Sequence, residues 1–264
     1  MSSLFYREST TQTNSIRKVY IFILFKTSII LYDLAMIEAV LDLLDLRLEG
    51  EGQVGGRITC PPRLALKPGQ YLLAHAPALQ QTLPEVLFPS RLTPSEIQLA
   101  PPLPPAWLPG TSLKLRGPNG KGFHVPPSAR RVALATLDVH PLRLLPLVDL
   151  ALARGCEIVL VTPFVPGDLP PEIEVLPPSQ LHDVPTWADY LALDLPSECL
   201  PSLPDRLGLK PGRTLACAAE VLVATQMPCG GPAECGVCAI KTRLGWKYVC
   251  RDGPVFNLNH FSLD

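Results

Sequence analysis

The sequence predicts a β + α/β protein in three consecutive parts: an antiparallel β-barrel, a Rossmann-like parallel α/β domain, and a small C-terminal domain organised around a metal centre. Three observations carry this expectation. Short alternating runs between Gly/Pro turns fill residues 36–127, a strand, helix, strand rhythm follows in residues 128–225, and four of the eight cysteines crowd into residues 226–264.

Composition sets the frame. At 264 residues the chain is long enough to bury a core without disulfide staples, and 47% apolar against 18% charged residues argues for an ordered protein. A net charge of -1 gives no basic footprint for nucleic acid. The thirty-one prolines exclude long helices where they are densest, Pro84–Pro127 and Pro163–Pro211. Cys60, Cys156, Cys199 and Cys217 stand singly without pairing spacing and read as reduced, buried thiols of a cytoplasmic protein.

Residues 1–35 fit this plan poorly. The apolar stretch from Val19 to Tyr32 is broken by Lys26 and falls short of the roughly 20 residues a bilayer span requires. It also lacks a good small-residue cleavage site. Met36 is therefore read as the start, with 1–35 an upstream extension, ahead of an N-terminal helix or disordered arm and of a membrane anchor.

In the first domain the runs LDLRLEG, GRITC, QYLLAHA, EIQLA and SLKLRG alternate between apolar and polar residues, the period of strands with one buried face. In the second, RRVALATLDV reads as a buried strand, PLRLLPLVDLALARG as a helix ending at Gly155, and EIVLVTPF as another buried strand. That βαβ unit implies a parallel sheet. EIEVLP and RTLACA are expected as further strands, with WADYLALDL a short helix between them. The last forty residues hold too few apolar positions for a core of their own.

The cysteines of the tail are spaced Cys229-x5-Cys235-x2-Cys238-x11-Cys250. The intervening AIKTRLGWKYV predicts a hairpin, strands Ala239–Thr242 and Trp246–Val249 about a turn at Leu244-Gly245, which would return Cys250 beside Cys238. The glycines of the loop allow its backbone to approach a bulky centre and to aim N–H groups at sulfur. Three uses of four thiols compete. Disulfides require an oxidising compartment. Structural zinc usually takes two short Cys-x2-4-Cys knuckles, and only Cys235/Cys238 is one. A 2Fe-2S centre takes three clustered ligands and a distant fourth, in a C-x4-C-x2-C spacing. The spacing favours iron.

CGGPAECGVCAIKT followed by VCRDGPVF resembles the cluster domain of the dihydroorotate dehydrogenase electron-transfer family, within the ferredoxin-reductase-like flavoproteins. The resemblance implies Cys229, Cys235, Cys238 and Cys250 as ligands of a 2Fe-2S cluster, with a first gap of five residues where the family has four. It also implies an FAD-binding barrel, a nucleotide-binding α/β domain, and a catalytic oxidoreductase subunit of pyrimidine biosynthesis as partner. Lys67-Pro68-Gly69-Gln70-Tyr71 is similar to the family's Pro-Gly-Gln-aromatic strand, and PGTSLKLRGPNGKGF, residues 109–123, to its Gly-Pro-x-Gly-x-Gly-Phe stretch.

Two segments depart from the family. Where it has Arg, an aromatic and Ser/Thr facing the flavin, this chain reads Leu87-Phe88-Pro89-Ser90-Arg91, so Ser90 and Arg91 are flavin contacts only if the strand is re-aimed. Where it has a glycine-rich turn, this chain reads Ala135-Thr136-Leu137-Asp138-Val139-His140-Pro141, with side chains and a carboxylate in place of open backbone. Loss of nicotinamide binding is inferred. Cys217 resembles the family's cysteine near the nicotinamide but is followed by Ala218-Ala219. Lys241, Arg243, Lys247 and Arg251 surround the hairpin, as a docking rim or a solvated face, and Trp246 and Tyr248 shield the centre or pack on the α/β domain. The function expected is electron transfer, with a non-catalytic scaffold subunit on a degenerate reductase fold as the alternative; no nucleic acid and no membrane partner is expected.

Overall fold

A computed structural model of the chain describes residues 37–49, 52–61, 64–209, 215–231 and 233–261. The readings of residues 1–35 and of Met36 as the start fall outside these residues, as does part of RTLACA.

Seven strands form the first sheet: β1 (Ile37–Glu49), β2 (Gln53–Thr59), β3 (Tyr71–His75), β4 (Glu85–Leu87), β5 (Pro89–Leu92), β6 (Glu96–Leu99) and β7 (Ser112–Asn119). They run in the order β4-β3-β7-β1-β2-β6-β5, and every pairing is antiparallel. The period-two pattern decides which face is wet: Leu113 and Leu115 of β7 are buried while Lys114 between them is exposed. Leu43, Ile58, Leu72, Ile97 and Trp107 close the interior. Across three neighbouring strands Arg57 ties Asp45 to Glu96, the latter at 3.0 Å.

The second sheet is parallel over five strands: β8 (Arg131–Thr136), β9 (Glu157–Val161), β10 (Glu174–Leu176), β11 (Tyr190–Pro196) and β12 (Ala218–Ala224), in the order β10-β9-β8-β11-β12. Its βαβ unit is as the sequence predicts, though the helix is short. Pro141–Arg143 makes a 3-10 turn, α1 covers only Leu145–Leu152, and the chain turns at Gly155 with φ +68°. One expectation is overturned. WADYLALDL is no helix; Tyr190–Pro196 is the central strand β11, preceded by the single turn α2 (Val184–Trp187). Leu and Ala favour helices, but YLALDL is buried throughout between β8 and β12, and burial on both faces overrides propensity. β12 likewise begins only at Ala218, at the end of RTLACA.

The tail lies on both sheets. β13 (Ala239–Thr242) and β14 (Gly245–Tyr248) form the predicted hairpin, α4 (Val249–Asp252) follows, and β15 (Val255–Asn257) joins the edge of β12 antiparallel. Cys238, Ile240, Val249, Cys250, Val255, Phe256 and Phe261 merge into one cluster with the α/β core and with Tyr71, Leu73 and Phe88 of the first sheet.

A buried ion pair fastens the first crossover. Asp194 on β11 is fully buried and receives Arg143 Nε and Nη2, both at 2.8 Å. Burial pushes its carboxyl pKa up, and the guanidinium pulls it back. Arg143 also lies 5.5 Å over the ring of Phe88, so the pair couples the two sheets. Asp194→Ala strands the arginine and is expected to cost about 3–5 kcal/mol in urea unfolding. Adding Arg143→Met should recover a large part of that loss; full additivity of the two changes would refute the coupling.

Candidate metal centre

After β12 the chain turns into the cysteine loop at Gly230 (φ +67°), whose N–H donates to Met227 O at 3.0 Å. Gly231 and Gly236 also have positive φ, as does Ala233 at +62°. The N–H groups of Gly231, Glu234 and Cys235 and the Cys235 thiol favour charge on the Cys229 sulfur, and the Ala233 N–H favours charge on Cys250.

The hairpin delivers the other two thiols. Val249 N–H donates to Cys238 O at 3.0 Å, and the Sγ atoms of Cys238 and Cys250 are 3.3 Å apart and buried. Cys238 and Cys250 thus meet inside, while Cys229 lies near enough to the exposed Cys235 for that thiol to lower its pKa. Among the described residues no cluster of three or more His, Cys, Asp or Glu closes on a single point. A two-iron centre takes two thiolates on each iron.

The electrostatics of Cys229 and Cys250 differ. Burial raises the Cys229 pKa, but the surrounding amides outweigh it and bring the thiol down to about 7. Burial pushes Cys250 up to about 12, reinforced by the neighbouring Cys238. Negative charge is favoured at the rim and costly inside, so the inner pair needs a cation between its sulfurs to be ionised.

The first sheet grips this loop. Tyr71, fully buried, donates its hydroxyl to Cys250 O at 3.2 Å. Its phenol pKa is raised well above the usual range by burial, then by the charges of Cys250, Cys238 and Cys229, with Arg116 opposing. Arg116 Nη2 donates to Gly230 O at 2.6 Å, and Lys121 N–H to Gly253 O at 2.6 Å. Gly69 has no room for a side chain: a Cβ there would lie 2.7 Å from Val255 and 2.8 Å from Phe123. Gln70 spans Lys67 N–H and Gly120 O at 3.0 and 2.9 Å. The Pro-Gly-Gln-Tyr and Gly-Pro-x-Gly-x-Gly-Phe stretches therefore build the seat of the cysteine tail. Arg116 was not singled out in the sequence; its place inside LKLRGPNG was the available signal.

The remaining sites lie elsewhere. On β5, Ser90 is buried and Arg91 half-buried, and among the described residues neither side chain has a hydrogen-bond partner. At the C-terminal ends of β8 and β9 a cavity of about 260 Å³ is lined by Gln53, Pro101, Asp138, His140, Arg143 and Phe164. His140 stacks on Phe164 at 4.3 Å and Asp138 holds φ +57°. Side chains occupy the space a glycine-rich turn leaves open. Cys217 is half-buried, with its thiol pKa pushed up by burial. No helix among the described residues is long and apolar enough to cross a membrane.

Residues 225–262 match the family model for the iron-sulfur cluster binding domain of dihydroorotate dehydrogenase B. The fold is that of a solved NADH-dependent reduced ferredoxin-NADP oxidoreductase, at TM-score 0.65 and 16% identity over 84% of this chain and 89% of that one. A ferredoxin reductase of carbazole 1,9a-dioxygenase (TM-score 0.54, 13% identity, 67% of this chain and 66% of that one) is also similar. So is the cytochrome P450 reductase of Amycolatopsis (0.52, 14%, 66% of each). The chain therefore shares the fold of these reductases and ends in a segment similar to the dihydroorotate dehydrogenase B iron-sulfur domain. No curated protein matches its sequence. The cluster-domain likeness is one of sequence, whereas that of the two sheets before it is one of shape.

Removing the tyrosine hydroxyl tests the seat. Tyr71→Phe is expected to lower stability by about 1 kcal/mol and to raise amide exchange across residues 228–250 while sparing β8–β12. Uniform exchange across both sheets would show that Tyr71 has no particular hold on the tail.

Proposed function

We propose that this iron-sulfur electron-transfer protein binds its 2Fe-2S cluster through Cys229, Cys235, Cys238 and Cys250, and exchanges electrons with a dihydroorotate dehydrogenase-like catalytic subunit in the cytoplasm. The observation that carries the ligand assignment is the 3.3 Å approach of Cys238 and Cys250, with Cys229 and Cys235 in the adjoining loop. The chain's own residues supply the setting. The amides of Gly231, Glu234 and Cys235 stabilise charge on Cys229, the first sheet holds the loop, and burial of Cys238 and Cys250 keeps water from the inner pair. When bound, the cluster supplies one-electron chemistry at a potential set by those amides and by burial.

FAD belongs to the same proposal. Ser90 and Arg91, whose side chains no described residue engages, are its candidate contacts on β5, while Gly69, Gln70 and Tyr71 set the cysteine loop against that domain. A flavin there would convert between two-electron and one-electron transfer. The side chains at Asp138 and His140 support a domain that does not take nicotinamide.

Protein purified without oxygen is expected to be coloured, to hold about two irons and two sulfides per chain, and to bleach with dithionite while gaining a rhombic electron-spin signal. Cys238→Ser and Cys250→Ser should abolish the colour. A colourless protein with one zinc per chain would overturn the proposal in favour of the scaffold reading. Acid extraction should release FAD from the wild type and less from Arg91→Ala; absence of flavin in both would remove FAD from the proposal and leave the cluster.

A further inference from the structure

The outer face of the hairpin serves neither the thiols nor the core. Residues 239–251 contain Lys241, Arg243, Lys247 and Arg251 and no Asp or Glu, in a chain whose net charge is -1. The register places Lys241 opposite Trp246 and Ala239 opposite Tyr248, so Lys241, Trp246 and Tyr248 share one face. Ile240 and Thr242, on the other face, are buried. Trp246 is 66% exposed and Leu244, at the turn, 65%. The Arg251 guanidinium lies 5.0 Å over the Tyr248 ring. Asp252, next in sequence, is engaged by Tyr248 N–H at 2.8 Å and by Arg251 at 3.2 Å, which offsets Arg251 and leaves Lys241 and Arg243 as the cations beside Trp246.

Cations on a hairpin are ordinarily a solvated surface. Here Lys241 lies directly across from an exposed tryptophan, Arg243 stands at the adjoining turn, and Lys247 lies opposite Ile240 on the other face; aromatic and arginine side chains together are what protein interfaces use as anchors. The patch also stands at the mouth of the centre: Ala239 follows Cys238, Tyr248 precedes Cys250 by two residues, and the outer thiol Cys235 is itself exposed.

We propose that this face docks an acidic one-electron carrier protein, an inference that rests on the iron-sulfur reading above. Charge complementarity selects the acidic partner and speeds the encounter, and Trp246 supplies the apolar centre. The event served is passage of one electron from the reduced protein to the oxidised carrier, with no bond made or broken.

The test uses the complete holoprotein, an acidic plant-type ferredoxin as probe and basic cytochrome c as the opposite-charge control, with binding read by calorimetry at low and high salt. Weak, salt-sensitive binding of the ferredoxin alone is expected, reduced about tenfold by Lys241→Glu with Arg243→Glu and also by Trp246→Ala. Unchanged visible absorbance in these variants shows that the centre is intact. Binding that ignores the charge reversal, equal binding of cytochrome c, or binding of phosphatidylserine vesicles in place of the ferredoxin would overturn the docking face. A colourless wild type that still binds ferredoxin with this charge dependence would instead remove the iron-sulfur reading and keep the face.

Discussion

Convergence of Cys229 and Cys235 on the Cys238/Cys250 pair is the constraint on which the architecture turns. Nothing in the last forty residues can impose it unaided, because the hairpin and α4 are each a few residues long. The loop is held from outside. Tyr71 and Arg116 of the first sheet take the carbonyls of Cys250 and Gly230, Lys121 takes Gly253, and β15 anchors the chain end to β12. The first sheet and the α/β sheet thus act as two jaws.

This division of labour explains the conformational oddities of the region. A loop that brings its amides to sulfur must turn tightly, and Gly230, Gly231, Ala233 and Gly236 do so with positive φ. The same amides bring Cys229 to about 7 while the inner Cys250 stands near 12. Charge is therefore easier to hold on Cys229 than on the buried Cys250, where a bound cation would have to compensate it.

Much of this was legible in the sequence. Cysteine spacing and the hairpin signal located the site and predicted that Cys250 returns to Cys238, because both rest on local geometry. The βαβ unit was legible for the same reason. YLALDL was misread because its Leu and Ala residues carry helix propensity, and only the neighbours β8 and β12 decide its state. The role of Gly69 and Tyr71 in seating the tail was not legible, since the contact joins residues about 180 positions apart. Likewise VFN gave no strand signal of its own; the open edge of β12 supplies it.

The cysteine loop and the crevice at the ends of β8 and β9 make opposite demands on the chain. Around the cysteine loop, close approach is demanded of backbone, and Gly69 and Gly120 allow it: a Cβ on Gly120 would lie 2.9 Å from both Gly253 O and Tyr71. At the ends of β8 and β9, side chains line the crevice: Asp138 presents a carboxylate, His140 stacks on Phe164, and Arg143 is committed to Asp194 and Phe88. A side chain that turns inward to stabilise the fold is less available to an anion. Bare backbone therefore stands where the cysteine loop must be seated, and side chains stand where the two sheets meet.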